Sequence, residues 1–189
     1  MYEAKNHSHL LGTPGFSDTL FNNHFKLYQG YVTNTNTLIE KLRAGTYVPG
    51  TPEYNELTRR FGWEYNGMRL HELYFGNMRS GGTVLPDGNL KKMIESVWGS
   101  FDNWKKDFLG IGGMRGIGWT ILVLDPEKKM VFNVWINEHD TGHLTGATPL
   151  LVMDVFEHAY ITDYGIARSD YMTAFMNSID WEAIEGRFM

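Results

Sequence analysis

The sequence of 189 residues contains no cysteine. This absence excludes disulfide bonds, iron–sulfur clusters and thiol catalysis. Any metal ion that the protein binds must therefore be held by nitrogen and oxygen atoms of side chains such as histidine and aspartate.

The sequence also lacks a long apolar run and an excess of basic residues. No apolar stretch approaches the roughly 18 residues that a membrane-spanning helix needs. The segment Met1–Leu11 lacks the charged-then-apolar order of a signal peptide, so we expect a cytoplasmic protein without a membrane partner. The formal net charge is −5 and no basic stripe is present, which argues against binding to nucleic acid. An anionic substrate would have to be attracted by a local field or by a metal ion.

The first part of the chain has the pattern of two long helices. After a predicted N-cap at Ser17 or Asp18, apolar residues recur at helical spacing until Gly45. A turn with two prolines follows, and a second helix is predicted from Pro52 to Met78. The short turn predicts an antiparallel helical hairpin.

The second part has the pattern of a small sheet with helices around it. The turn Pro86-Asp87-Gly88 is the predicted boundary between a helical hairpin domain, residues 1–85, and an α/β domain, residues 86–189. Two short helices and three strands are predicted next, over 89–98, 100–109, 118–124, 130–135 and 148–154. Helices close the chain, one capped by Ser169 or Asp170 and one by Ser178 or Asp180. The predicted fold class is α+β, with a small antiparallel sheet of about three strands.

Asp154 and His158 are the first candidates for chemistry. A carboxylate at the end of a buried strand is unfavourable unless it is paired, and a spacing of four lets the two side chains meet if the strand turns into a helix. Metal binding satisfies both groups, but from spacing alone a salt-bridged aspartate beside a core histidine is the simpler interpretation. His7 and His9 lie in a terminus that we expect to be frayed, so they are poor ligand candidates.

Five segments together resemble the iron/manganese superoxide dismutase family. Asp-Val-Phe-Glu-His-Ala-Tyr, residues 154–160, is similar to the family signature Asp-x-Trp-Glu-His-Ala-Tyr. The other similar segments follow in family order over nearly the whole chain: Lys26–Val32 in the first helix, His71–Phe75 in the second, Gly116–Trp119 before a strand, and Tyr171–Phe188 at the end.

The resemblance implies an enzyme that converts superoxide to oxygen and hydrogen peroxide. It implies one iron or manganese ion between the two domains, cycling between the 3+ and 2+ states, with water or hydroxide as a fifth ligand. The four protein ligands that it implies are His24, His71, Asp154 and His158.

The resemblance also assigns roles around the metal. Tyr31 matches a tyrosine at the mouth of the substrate channel, and Trp119 matches an aromatic wall of the pocket. Family members place a glutamine near the bound solvent, but the helix position for it is Gly67 here. We expect His139, from the sheet region, to take that role and to exchange a hydrogen bond with the solvent, across space left open by Gly67. A plain loop histidine, an interfacial tyrosine and a core tryptophan are the structural alternatives.

The chain departs from the family pattern in three ways. His24 precedes Tyr31 by seven residues where the family has eight, so Asn23 is the alternative ligand; seven residues make two turns of a regular helix, which favours His24. A His–Tyr contact between subunits is replaced by Leu27 and Ile161, two apolar residues. Phe156 replaces a tryptophan.

Glu157 matches the residue that crosses a dimer to a ligand histidine of the partner, which implies a homodimer and leaves a tetramer open. The short loop between His139 and Asp154 resembles iron-type members and favours iron over manganese.

The alternative function is a redox-silent relative that serves as a metal-binding or structural protein. A metallohydrolase is a third interpretation, which the absence of a separate nucleophile motif weakens.

Overall fold

In a computed structural model, which describes residues 1–188, the first two long helices form the predicted hairpin. Helix α1 spans Asp18–Arg43 and α2 spans Pro52–Phe75. The Ser17 hydroxyl caps α1 by accepting from the Leu20 backbone N–H at 3.0 Å, as a side chain at this position commonly does. The buried side chains of α1 recur every three or four residues and face α2.

Helix α2 ends three residues before the predicted end at Met78. Gly76 is its C-cap, and the Asn77 side chain then donates to the Val152 carbonyl at 2.8 Å instead of continuing the helix. Met78 pairs with Ile179 in an isolated antiparallel bridge. The end of the hairpin is thus tied to later parts of the chain by hydrogen bonds that local spacing does not reveal.

Two shorter helices lead to the sheet. They are α3 (Asn89–Trp98) and α4 (Phe101–Gly112). Helix α4 continues three residues beyond the predicted end at Leu109. A Cβ atom on Gly112 would lie 2.5 Å from Met153 Cε, so glycine permits close packing of α4 on the sheet rather than ending the helix.

The three predicted strands form one antiparallel sheet. The strands are β1 (Gly118–Asp125), β2 (Met130–Asn137) and β3 (Thr148–Asp154). Their order is β2-β1-β3, so the central strand β1 is buried along nearly its whole length. The register between β1 and β3 pairs Trp119 with Asp154 and so sets two predicted site residues side by side.

Three helices close the described chain. They are α5 (Ile161–Tyr164), α6 (Arg168–Asn177) and α7 (Trp181–Phe188). The predicted cap of α6 at Ser169 or Asp170 is wrong, because α6 begins earlier, after Ala167, without a capping side chain. The prediction of Asp180 for the last helix is confirmed, since its carboxylate accepts from the Ala183 backbone N–H at 3.3 Å. The α+β fold class is confirmed as well.

The expectation of a frayed N-terminus is wrong. The His7 side chain is buried and its ring packs 4.8 Å from that of Phe75. The Lys5 backbone N–H donates to the Tyr28 hydroxyl at 3.0 Å. The segment covers aromatic side chains of both hairpin helices, and burial of those rings offsets the entropy lost in ordering it.

One hydrophobic core unites the hairpin with the sheet. Buried side chains from α1, α2, all three strands and α6 belong to a single cluster. Within residues 1–188, no helix combines the length and the hydropathy needed to cross a membrane.

The Arg187 side chain ties the end of α2 to β3 and α7. It donates to the carbonyl oxygens of Leu150 at 2.7 Å and of Gly76 at 3.0 Å, and also to the Asn77 side chain.

We expect Arg187→Met to lower the free energy of unfolding by about 2–4 kcal/mol, because buried acceptors lose a charged donor. Urea denaturation measures this. The control is Arg59→Met, whose parent side chain is 75% exposed and whose expected effect is about 0.5 kcal/mol or less. Equal stability of the two variants would contradict the stabilising role of the Arg187 hydrogen bonds.

Candidate metal centre

Four buried or half-buried side chains converge between the hairpin and the sheet. One potential ligand atom from each lies within 4.8 Å of the other three. His24 comes from α1, His71 from α2, Asp154 from the last residue of β3, and His158 from a single 3₁₀ turn that follows the strand. We call this set the four-residue cluster. The turn after β3 provides the convergence of Asp154 and His158 that their spacing suggested.

The Asp154 carboxylate lies at the centre of the cluster. Its Oδ2 atom is 3.1 Å from His158 Nε2, 3.2 Å from His24 Nε2 and 3.7 Å from His71 Nε2. Its Oδ1 atom accepts from the Phe156 backbone N–H at 2.8 Å, which fixes the orientation of the carboxylate.

Three imidazole nitrogens of the cluster, one of them Nδ1 of His24, are buried without a hydrogen-bond partner, and two of the three face the Asp154 carboxylate. These two are Nε2 of His24 and Nε2 of His71; the first lies near Asp154 but does not have hydrogen-bonding geometry. His71 donates its other ring N–H to the Gly67 carbonyl at 2.6 Å, which leaves the Nε2 lone pair directed at the cluster. Buried polar atoms are rarely left unpaired, so these two nitrogens point to a bound cation.

The protonation states suit the same interpretation. Burial lowers the pKa of His24 and of His71, and both imidazoles are therefore neutral. Burial alone would raise the pKa of Asp154, but the adjacent imidazoles of His158 and His24 outweigh it and lower that pKa. Neutral imidazoles and a carboxylate are the forms that bind a metal ion, and nitrogen with oxygen donors suits iron or manganese. The residues therefore fit the metal that the family resemblance implies.

The first-helix position is occupied by His24 and not by Asn23. Helix α1 is regular through this region, His24 is buried and the Asn23 side chain is exposed. The seven-residue spacing places the His24 and Tyr31 side chains on the same side of the helix.

A hydrogen-bonded chain of three side chains lies beside the cluster. The Trp119 indole N–H donates to His139 Nδ1 at 3.0 Å, and His139 Nε2 is 2.7 Å from the Tyr31 hydroxyl. An indole nitrogen is only a donor, so His139 Nδ1 must be the acceptor and Nε2 must carry the ring proton. His139 then donates to Tyr31. Burial lowers the pKa of His139 to about 4 and raises that of Tyr31, so both are neutral near pH 7.

The geometry changes one detail of the expected role of His139. Both ring nitrogens are engaged, one by Trp119 and one by Tyr31, so the imidazole has no further donor or acceptor for a solvent molecule on the metal. The space over Gly67 is not open either. A Cβ atom there would lie 2.6 Å from Tyr31 Cδ1, because the tyrosine ring packs directly on the glycine.

Aromatic rings surround His139. Phe156 stacks on it with ring centroids 4.8 Å apart and an interplanar angle of 27°, and Trp63 meets it edge-on at 4.8 Å. Sequence reasoning missed Trp63. Its signal was available, because it precedes Gly67 by one helical turn and so lies on the same side of α2.

The three positions assigned to a subunit contact are accessible in the single chain. Glu157 is exposed, and the exposed fractions of Leu27 and Ile161 are 37% and 52%. The two apolar residues thus lie at the surface of the protomer, where a partner could cover them.

Comparisons with known proteins agree with the geometry. Residues 86–187 match the family model described as iron/manganese superoxide dismutases, C-terminal domain. A superoxide dismutase of Haloferax volcanii, named for manganese, is 36% identical over 87% of this chain and 82% of its own length. Two relatives named for iron are each 35% identical: that of Aquifex pyrophilus covers 98% of this chain and 90% of its own length, and that of Cupriavidus metallidurans covers 92% and 89%.

The packing of Tyr31 on Gly67 gives a structural prediction. Gly67→Ala must displace the tyrosine ring, and we expect it to lower the free energy of unfolding by about 1–3 kcal/mol, the usual effect of overpacking. Gly62→Ala on the same helix is the control. Its Cβ would have no heavy atom within 4 Å, and we expect a gain of about 0.5–1 kcal/mol from helix propensity. Urea denaturation and a crystal structure of each variant provide the measurements. A Gly67→Ala protein with unchanged stability and an unmoved Tyr31 ring would refute the packing argument.

Proposed function

The chain belongs to the iron/manganese superoxide dismutase family and catalyses the dismutation of superoxide, and on this premise we propose that the four-residue cluster binds the one iron or manganese ion of the active site. The observation that carries this proposal is the buried Asp154 carboxylate surrounded by three imidazoles, two of which have an unpartnered Nε2 atom. When bound, the metal supplies one-electron chemistry, by which one superoxide is oxidised to oxygen and a second is reduced to peroxide.

The protein must supply two protons for each peroxide that leaves as hydrogen peroxide. We assign their delivery to the chain of Trp119, His139 and Tyr31. Since Trp119 and His139 each donate toward the tyrosine, the hydroxyl proton of Tyr31 is left to donate outward, to a peroxide anion or to solvent beside the cluster. The hydrogen bond from His139 favours the tyrosinate that forms and would hold it until solvent returns the proton.

His139 therefore acts on Tyr31 rather than on the metal. Within residues 1–188, its two ring nitrogens have Trp119 and Tyr31 as their side-chain partners. An amide at this position could make the same two bonds and would keep a second N–H. In this respect the active site has one donor fewer than a site with glutamine there.

Phe156 supports this arrangement. Its ring stacks on His139 and also on His158, with centroids 4.8 Å and 5.2 Å apart. A phenylalanine is smaller than the tryptophan that the family signature has here, and it leaves room for an imidazole at position 139. We infer that the two departures from the family pattern compensate each other.

The remaining assignments extend the same proposal. We propose a homodimer in which Glu157 reaches the partner subunit, with Leu27 and Ile161 forming an apolar part of the contact; the accessibility of all three supports it. We keep iron as the favoured metal, on the short loop after His139, and keep residues 1–85 and 86–189 as two domains with the metal between them. A cytoplasmic location, testable by cell fractionation, belongs to the same proposal.

The ligand assignment predicts the loss of metal from single variants. Asp154→Ala and His158→Ala should each abolish metal retention. The first variant removes the negative charge that balances the cation, and the second removes one of the four donors. Elemental analysis after expression in iron-rich and in manganese-rich medium measures this, with circular dichroism to show that each variant is folded. His9→Ala, at an exposed histidine, is the control and should keep the metal. Stoichiometric metal in the Asp154→Ala or the His158→Ala protein would exclude that residue as a ligand.

The proton chain predicts an effect on rate without an effect on metal. His139→Ala should retain the metal and reduce turnover by roughly 10–100-fold, the scale typical of losing a group that supports a metal site from outside its ligand shell. His139→Gln can accept from Trp119 and donate to Tyr31, and it should recover most of that loss. Pulse radiolysis with parallel metal analysis measures both quantities. If the alanine variant turns over as fast as the parent, His139 has no part in the mechanism.

A further inference from the structure

Arg60 lies next to the aromatic rings that enclose His139. Its guanidinium carbon is 5.1 Å from the centroid of the Trp63 ring, and that ring meets His139 edge-on at 4.8 Å. Arg60 and Trp63 are three residues apart on α2, so they are neighbours on one side of the helix. The permanently charged guanidinium of Arg60 is therefore separated by the Trp63 ring from the hydrogen bond between His139 and Tyr31.

Glu64 holds this guanidinium in place. Its Oε1 atom accepts from Arg60 Nε at 2.7 Å and lies 2.6 Å from Nη2, and its Oε2 atom accepts from the Asn34 side chain at 3.2 Å. The two charges are not equally accessible, because the Glu64 side chain is 3% exposed and the Arg60 side chain is 50% exposed. An approaching ion therefore meets the cation of the pair and not its carboxylate.

The charge of Arg60 reaches the proton chain. Burial is the main cause of the raised pKa of Tyr31 and of the lowered pKa of His139, and Arg60 acts to lower both. Three acids oppose it: Asp154 raises the pKa of both groups, Glu64 raises that of Tyr31 and Asp140 raises that of His139. In residues 1–188, Arg60 is the Lys or Arg whose charge acts on both rings, and its effect is smaller than that of the acids.

The overall charge makes such a local cation useful. The chain has a formal net charge of −5, which repels an anionic substrate at long range. We propose that Arg60 is a steering residue, which attracts superoxide and other small monoanions to the surface beside Tyr31 and His139. This inference rests on the proposed function, in which these two side chains line the approach to the metal. Glu64 and Trp63 position the guanidinium for this role.

The test compares two neighbouring arginines on α2. Arg60→Gln and Arg59→Gln change the net charge equally, but Arg59 pairs with Glu56 and its side chain is 75% exposed. The second-order rate constant of superoxide dismutation is measured by pulse radiolysis on metal-replete protein at several ionic strengths. At about 10 mM, where charges act over roughly 30 Å, we expect Arg60→Gln to lower the rate constant by about 3–10-fold and Arg59→Gln by less than about 1.5-fold. At about 1 M salt, where the range falls to roughly 3 Å, the two variants should agree with the parent within about 2-fold.

Two further variants separate steering from a structural role of the ion pair. Glu64→Gln breaks the pair but keeps the cation, so steering predicts an equal or higher rate constant at low salt. Arg60→Lys keeps the charge and should keep more than about half of the rate constant, since a lysine can still pair with Glu64. If Glu64→Gln loses as much as Arg60→Gln, or if the loss in Arg60→Gln persists at high salt, Arg60 acts through structure and the inference is wrong.

Azide, a small monoanion, gives a reading that does not depend on turnover. Spectroscopic titration of the metal-replete protein at low ionic strength should show azide binding that is about 2–5-fold weaker in Arg60→Gln and unchanged in Arg59→Gln. Equal affinities in the two variants would overturn the inference. Failure of the proposed function is distinguishable, because it would appear as metal retained in the Asp154→Ala or His158→Ala protein, or as unchanged turnover in the His139→Ala protein, whatever the Arg60 variants show.

Discussion

The Asp154 carboxylate is buried, and three imidazole nitrogens lie within 3.7 Å of one of its oxygen atoms. An isolated carboxylate would be strongly unfavourable at this depth, and neutral imidazoles compensate it only in part. A multivalent cation among the four groups resolves the problem, since it neutralises the carboxylate and occupies the free lone pairs. Each half of the molecule supplies part of the cluster, so the geometry of the site depends on how the hairpin packs against the sheet.

The residues around the four-residue cluster are positioned by the same packing of the hairpin against the sheet. Trp119 pairs with Asp154 across the sheet, so the indole that orients His139 lies on the strand next to the one that supplies the carboxylate. Gly67 supplies the carbonyl that orients His71, and its missing side chain makes room for the Tyr31 ring. One turn of α2 therefore aligns a proposed ligand and positions the last member of the proposed proton chain. Trp63 and Arg60, which flank the proposed approach of the substrate, lie one and two turns earlier on the same helix.

Much of this was predictable because the signals are local. Caps, helical spacing and β-branched runs predicted the hairpin, both short helices and all three strands, and the family motifs identified the four residues that the fold brings together. The errors came where distant contacts decide the outcome. Asn77 ends α2 by bonding to a strand 75 residues away, and Gly112 lengthens α4 because a methionine of β3 packs on it. The N-terminal segment is ordered by aromatic rings of both hairpin helices. The partners of His139 could not be read from spacing, since two separate segments supply them.

The most direct test of this account is an anomalous diffraction experiment on crystals of the protein, with data on both sides of the iron and the manganese absorption edges. The account predicts one strong peak inside the four-residue cluster, at about 2.0–2.2 Å from Nε2 of the three histidines and from one oxygen of Asp154, distances typical of nitrogen and carboxylate ligands. The edge at which the peak appears identifies the metal. A cluster with no peak at either edge, in crystals of protein that dismutes superoxide, would contradict the central claim.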